Sequence, residues 1–114
     1  MIYFQTFELK IYLLHGGERQ VWGYEAVAIC FHSPNVFICT SPAWPGLATG
    51  YARNPELLRY AAEMIPNQVV FSSCYPAAYP IKESIAAINN IPGLSEEFKE
   101  KMFYKNAAKF FKLE

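Results

Sequence analysis

Three side chains able to do chemistry stand at similar places in separate stretches of the chain. His15 follows the apolar run Leu9 to Leu14 and precedes Gly16-Gly17. Ser41 follows Val36 to Thr40 and precedes Pro42, and Cys74 follows Gln68 to Ser73 and precedes Tyr75-Pro76. Histidine titrates near neutrality, so His15 can act as general acid or base or as a metal ligand. Cys74 can act as a nucleophile or a soft ligand, and a Cys and a His on neighbouring strands can form a nucleophile–base pair. Each residue also has a plain structural account. His15 can hydrogen-bond its own Gly-Gly turn, and Cys74 can be a small, inert, apolar side chain. Trp44, Tyr51, Tyr75 and Tyr79 can line a pocket or pack a core. Arg53 can bind a substrate carboxylate or face solvent. The acidic residues sit on helices or in their first turns, so two-carboxylate acid–base catalysis has no basis here.

The elements that must position these residues are legible in the pattern. Leu9–Leu14, Val36–Thr40 and Gln68–Ser73 are short, nearly continuous apolar runs, the signature of parallel strands covered on both faces. Between the first two, residues 20–31 have helical period, with Val21, Tyr24, Val27, Ala28 and Phe31 expected on the core side. Ser33-Pro34-Asn35 stops this helix, and His32 stands at its C-terminal end. The loop 41–53 holds two prolines and two glycines; a stretch of that length in a small domain is often functional. Asn54-Pro55-Glu56 opens a second helix that runs to about Ile65, with Leu58, Ala61, Ala62 and Ile65 inward. Pro80 opens a third, with Ile81, Ile85 and Ile88 at helical spacing. Ser95 caps a fourth with Glu96 and Glu97 in its first turn, and Asn106 is expected to cap a last short helix over 107–113. The strands recur at about 27 to 32 residues, the length of βαβ units. Strand-helix three times, followed by terminal helices, predicts an α/β fold with a parallel sheet and right-handed crossovers. Ligands of such folds bind outside the carboxyl ends of the strands, where His15, Ser41 and Cys74 fall.

The totals narrow the function. The chain has 114 residues, one domain or less. Its formal net charge is zero with 18% charged residues, so no basic excess exists to neutralise phosphates, and nucleic acid is excluded as the main partner. No apolar run approaches the roughly 20 residues that cross a bilayer, and Met1 to Lys10 has no signal-peptide pattern, so a cytoplasmic location without membrane contact is expected. The three cysteines, Cys30, Cys39 and Cys74, lack CxxC spacing and are expected as reduced thiols. No dinucleotide fingerprint or phosphate-binding loop follows a strand.

Four segments, in order, resemble a known family. They are Leu9-Lys10-Ile11-Tyr12-Leu13-Leu14-His15-Gly16-Gly17, the stretch from Ser33 to Ser41, Val70-Phe71-Ser72-Ser73-Cys74-Tyr75-Pro76, and Leu94 to Phe111 with its closing Lys105-Asn106-Ala107-Ala108-Lys109-Phe110-Phe111. Together they are similar to the C-terminal part of amidohydrolase-related proteins, TIM-barrel metal-dependent hydrolases and decarboxylases of the aminocarboxymuconate-semialdehyde decarboxylase kind. The resemblance implies a partial (β/α)8 barrel over residues 1–114, with the three strands as the sixth, seventh and eighth. It implies an active-site role for His15, on substrate or on metal-bound water. In the family an Asp in a Gly-Ser/Thr-Asp-Tyr/Phe-Pro segment binds the metal or acts as base; here Cys74 stands at that position. The family's divalent metal, zinc first, also needs a His-x-His pair and a further His from strands this stretch does not contain. A zinc site takes at least three protein ligands, so this chain alone is not expected to hold the metal.

Two expectations follow from the resemblance. As part of an amidohydrolase-type enzyme, the chain would work with a complementary N-terminal fragment on a small-molecule substrate, with His15 and Cys74 catalytic and Trp44, Arg53 and Tyr75 shaping the pocket. Alternatively it keeps the fold without the chemistry, as a non-catalytic interaction module whose two exposed sheet edges drive self-association or partner binding.

Overall fold

A computed structural model of the chain describes residues 9–14, 20–41, 55–73 and 80–113. Its centre is β2, Val36–Cys39, β-branched and aromatic and buried along its whole length. The strands β1 (Ile11–Leu13) and β3 (Val69–Val70) flank it in the order β1-β2-β3. Both pairings are parallel, with Ile11 opposite Val36, Leu13 opposite Ile38, Ile38 opposite Val69 and Cys39 opposite Val70. Each strand lies within its expected run but is shorter, because a ladder persists only where both neighbours stay extended.

Helices alternate with the strands. They are α1 (Gln20–His32), α2 (Pro55–Met64) and α3 (Ile81–Asn89), then α4 (Glu96–Glu100), a π turn (Lys101–Lys105) and α5 (Asn106–Phe111). Side chains alternate along β2, so Val36 and Ile38 share one face and Phe37 and Cys39 the other. The first face carries the main apolar cluster. Val36, Ile38 and Val69 pack there with Ala26, Val27 and Cys30 of α1, Leu57, Leu58 and Ala61 of α2, Ile88 of α3 and Met102 of the π turn. Every crossover thus lies on one side of the sheet. The opposite face, with Tyr12, Phe37, Cys39 and Val70, is the inner face; the Phe110 ring packs on it, 5.2 Å from Tyr12 and 5.0 Å from Phe37 between centroids.

Three local expectations need correction. The buried side of α1 is Gly23, Ala26, Val27 and Cys30, while Tyr24, Ala28 and Phe31 are exposed (the side chain of Val21 lies outside the described set). This helix is apolar nearly all round, so period alone cannot choose its face; the stripe with the smallest side chains approaches the sheet. In α3 Ile88 is buried but Ile81 is exposed, and Ser84 takes an inward position instead. Asn106 caps no helix. Ser95 caps α4 as expected, its hydroxyl accepting from the Phe98 N–H at 3.0 Å, but backbone angles stay helical from there through the π turn into α5. Asn106 is buried within this continuous helix, and its side-chain amide donates to the carbonyls of Pro66 at 2.9 Å and Val69 at 2.8 Å.

The same helix overturns the expectation of two exposed edges. The main-chain groups of Gln68 and Val70 face β2, accepting from Ile38 and Thr40. Those of Val69 and Phe71 therefore point to the outer edge of β3. Asn106 takes the Val69 carbonyl, and the Phe71 N–H donates to the Met102 carbonyl at 2.9 Å. Both of these outward groups of β3 thus have partners within the chain.

The N-terminal end of the sheet is bound tightly. Gln68 directs its amide at the carbonyls of Cys30 (2.6 Å), Ser33 (3.2 Å) and Val36 (2.8 Å), joining the end of α1 to the starts of β2 and β3. The Lys10 amine donates to the carbonyls of Lys109 (3.0 Å) and Phe110 (2.9 Å), where it also meets the negative end of the helix dipole. Lys112 then turns left-handed at φ 54°, and Leu113 donates back to Ala108, closing the C-terminus. Among the described residues, no helix is long and apolar enough to cross a membrane.

Candidate functional site at the strand ends

Because the strands are parallel and in register, their C-terminal ends share one edge of the sheet. Thr40 fastens two of them. Its hydroxyl accepts from the Ser72 N–H at 3.0 Å and donates to the Ser72 carbonyl at 3.2 Å, so the side chain continues the β2–β3 pairing past the last strand residue. Thr40 is buried, as are Ser41 and Ser73. The mouth is thus lined by hydroxyls on a main chain that is held in place.

Ser41 lies on the inner face by alternation, and its Oγ is 3.2 Å from the Cys39 sulfur. The Tyr12 phenol hydrogen-bonds the same thiol. A column of polar atoms thus runs up the inner face, from Tyr12 through Cys39 to Ser41 at the mouth. Burial pushes the Tyr12 phenol well above its ordinary range, and Cys39 pushes it in the same direction. The Tyr12 phenol therefore keeps its proton at neutral pH. The column can orient a group by hydrogen bonding. Cys30 faces the opposite side of the sheet, where burial pushes its thiol up to about 12. Cys30 and Cys39 are thiols rather than disulfide partners, as expected.

Of the residues that sequence reasoning placed at the site, Ser41 is where it was expected. His15, Cys74, Trp44, Arg53 and Tyr75 lie outside the described residues, as do Tyr51 and Tyr79. Tyr12, Cys39 and Thr40 were not singled out as site residues. The period-two alternation of β2 carries the signal for Cys39, and the Ile11-Tyr12-Leu13 run carries it for Tyr12; a tyrosine flanked by aliphatics on a short strand reads as core unless the partner strand is known.

Among the described residues no group of three or more His, Cys, Asp or Glu stands where it could hold a metal ion. The described strand ends offer the hydroxyls of Thr40, Ser41 and Ser73, a neutral donor set that does not make a zinc-type site. An open cleft of about 570 Å³ lies beside β3, lined by residues including Phe71, Ile85, Phe103 and the ion-paired Glu96 and Lys99. It is bounded mainly by helices, with Phe71 at the end of β3 on one wall.

Comparison with solved structures places this arrangement. A dihydroxybenzoic acid decarboxylase from Polaromonas sp. JS666, crystallised with bound manganese and the inhibitor 2-nitroresorcinol, superposes with a TM-score of 0.63 at 20% identity. The match covers 92% of this chain and 34% of that one. 5-Carboxyvanillate decarboxylase from Sphingomonas paucimobilis superposes with a TM-score of 0.65 at 25% identity, over 96% of this chain and 36% of its own. The chain therefore spans about a third of the length of these enzymes, and its parallel strands, with both crossover helices on one face, form part of a TIM barrel. No curated protein matches. The profile of the amidohydrolase family matches residues 3–113, almost the whole sequence, and the chain belongs to that family.

Proposed function

We propose that this chain supplies the last three β/α units of an amidohydrolase-type (β/α)8 barrel, and that the completed barrel decarboxylates or hydrolyses a small carboxylated substrate. The observation that carries this reading is the sheet itself. Consecutive parallel strands in the order β1-β2-β3, with every crossover on one face, make a barrel segment. A doubly wound sheet would reverse its strand order and carry helices on both faces. The names of both structural neighbours favour decarboxylation over hydrolysis.

In this reading His15, which follows β1 in the sequence, exchanges a proton with the substrate. Arg53 takes a substrate carboxylate, and Trp44 and Tyr75 wall the pocket. The Tyr12–Cys39–Ser41 column supplies hydrogen-bonding groups on the inner wall. The metal of the family would come with the strands bearing the other ligands. The test is reconstitution. The chain is mixed with a family fragment bearing the His-x-His strand and supplied with manganese or zinc, and carbon dioxide release from dihydroxybenzoate or 5-carboxyvanillate is followed. Activity that needs both pieces, and is lost in His15→Ala, supports the reading; equal turnover by the His15→Ala mixture defeats the role given to His15.

One observation favours a second reading, in which the fold is kept without the chemistry. Cys74 stands where the family has a carboxylate, and a thiol is neither a hard oxygen ligand nor a low-pKa base. Under that reading the reconstituted mixture stays inactive, and Cys74→Asp restores turnover.

A further inference from the structure

At its outer edge β3 is met by groups that reproduce one residue of a parallel strand. In a parallel ladder a residue donates to the carbonyl before the residue opposite it and accepts from the N–H after it. On the β2 side Ile38, opposite Val69, donates in this way to the Gln68 carbonyl at 2.8 Å. On the outer side the corresponding groups, one residue on, are the Val69 carbonyl and the Phe71 N–H. The Asn106 side-chain amide donates to the first at 2.8 Å, and the Met102 carbonyl accepts from the second at 2.9 Å. A donor and an acceptor of one helix thus stand where a neighbouring strand would put the N–H and C=O of a single residue.

The π turn makes the acceptor available. In an uninterrupted α-helix the Asn106 N–H would donate to the Met102 carbonyl. Here it donates to Lys101, five residues back, and the Met102 carbonyl receives the Phe71 N–H instead. The Phe103 ring of the same turn packs on Phe71, with centroids 5.1 Å apart. The Glu100–Lys105 ion pair, also spaced by five, spans the turn at 3.5 Å. Single π turns inside α-helices are frequent at functional sites, and the regular alternative here is one hydrogen-bond shift away.

We infer that the continuous helix from Glu96 to Phe111 is a latch on the seam of the barrel. It holds the pairing groups of β3, and the barrel's first strand joins β3 only as the π turn relaxes to α-helix and gives up the Phe71 N–H. This rests on the barrel reading above, in which β3 is the eighth strand and ring closure sets the first strand against its outer edge.

The exclusion is a matter of proton count. A carbonyl has two lone pairs, so the Val69 carbonyl can serve Asn106 and a strand together. The Phe71 N–H has one proton, and Met102 holds it. The exchange is nearly even in hydrogen bonds. Relaxing the turn gives the Met102 carbonyl the Asn106 N–H, and the incoming strand gives Phe71 a new acceptor. The apolar surface that the strand covers therefore sets the balance. Such surface is present, because the open cleft of about 570 Å³ on this side of β3 is walled by Phe71, Ile85 and Phe103.

Nuclear magnetic resonance and hydrogen exchange on the intact chain test the latch. The chain alone should show coupling across the hydrogen bond from the Phe71 nitrogen to the Met102 carbonyl. Deletion of Tyr104, which is 60% exposed, leaves Lys101 four positions before Asn106. Their bond then becomes an α-helical one, and the Met102 carbonyl passes to the Ala107 N–H. The Phe71 amide should exchange at least about tenfold faster, while the Ile38 and Thr40 amides, held between strands, keep their rates. Displacement is tested with an N-terminal fragment of 5-carboxyvanillate decarboxylase that carries the first strand. It should bind the deletion variant at least about tenfold more tightly than the parent, and binding to the parent should abolish the Phe71–Met102 coupling. Equal affinity for the two chains, or a complex that keeps the coupling, overturns the inference. So does a parent chain that lacks the coupling when alone, whether or not the deletion variant folds. Binding to neither chain defeats the barrel reading and the displacement with it; the hold on Phe71 is read separately, from the coupling and the exchange rates.

Discussion

The two ends of the sheet are built by different means. At the N-terminal end, side-chain amides are spent on main-chain carbonyls. Gln68 reaches the end of α1 and the start of β2, Asn106 reaches both sides of the turn into β3, and Lys10 closes the C-terminal helix. At the C-terminal end, among the described residues, Thr40 joins two strands, and the Ser41 hydroxyl and the Cys39 thiol bond to each other. The first end fixes the register and orientation of every strand. The second presents groups to whatever enters the mouth. In parallel α/β folds the N-terminal face carries stability and the C-terminal face carries chemistry, and this chain divides its polar residues on that plan.

The sharpest way to break the contrast is at Asn106. Asn106→Asp replaces a buried donor with a carboxylate facing the Pro66 and Val69 carbonyls. It should destabilise by about 3–5 kcal/mol, the scale for an uncompensated buried charge. Asn106→Ala should cost less, about 2–3 kcal/mol, for two acceptors left without a donor. Gln68→Ala should fall in the same range, and its damage should appear as faster exchange at Val36 and in the last turn of α1. Denaturant unfolding with amide exchange checks all three; an Asn106→Asp chain as stable as the parent would show that the strap is not what holds β3.

Much of this end was unreadable in the sequence, for a physical reason. Strands and helices follow from local pattern, and Val36–Cys39 and Pro55–Met64 fall where hydrophobic runs and capping residues put them. The roles of Asn106 and Gln68 depend on what lies opposite them. An asparagine before Ala-Ala reads as a helix cap, and only the approach of β3 makes it an internal donor and Met102 a released acceptor. The face of α1 failed likewise, because Trp22, Tyr24, Ile29 and Phe31 are all apolar and all outward. At the mouth, Ser41 was legible from its place after a strand, whereas Cys39 and Tyr12 needed the β1–β2 register that pairs Tyr12 with Phe37. The family was legible because its signal lies in the spacing of whole segments, which one short strand or one misassigned cap does not disturb.

Alkaline titration compares the two faces of the sheet. The Cys30 thiol, on the helix side, is raised from 9.0 to about 12 by burial. Between those values the unfolded chain has lost this proton and the folded chain still holds it, so stability falls as pH rises from 9 towards 12. Below 9 the contribution is complete and independent of pH. Tyr12, on the inner side, is raised from 10.0 by burial and then by Cys39, so its contribution begins to fall about a unit later. Cys30→Ala should flatten the early part of the decline and Tyr12→Phe the later part. Melting temperatures taken at intervals above neutrality would separate them. A Cys30→Ala chain that loses stability along the parental curve would remove the thiol as its cause.

The smallest expected loss in stability is at the mouth, and it is the most informative about function. Thr40→Val keeps the shape of the side chain and removes its hydroxyl, which leaves the Ser72 N–H and carbonyl without their partner on β2. The cost should be about 1–2 kcal/mol, because both Ser72 groups are only part-buried and water can reach them. Its effect on motion should be larger than its effect on stability. The Ser72 amide should exchange much faster, while the Phe71 amide, held by Met102 at the outer edge, keeps its protection. Such a split would show that the strand ends are positioned separately from the base of the sheet. Equal loss of protection at both amides would mean that β3 moves as one piece, and that the mouth draws its order from the N-terminal end.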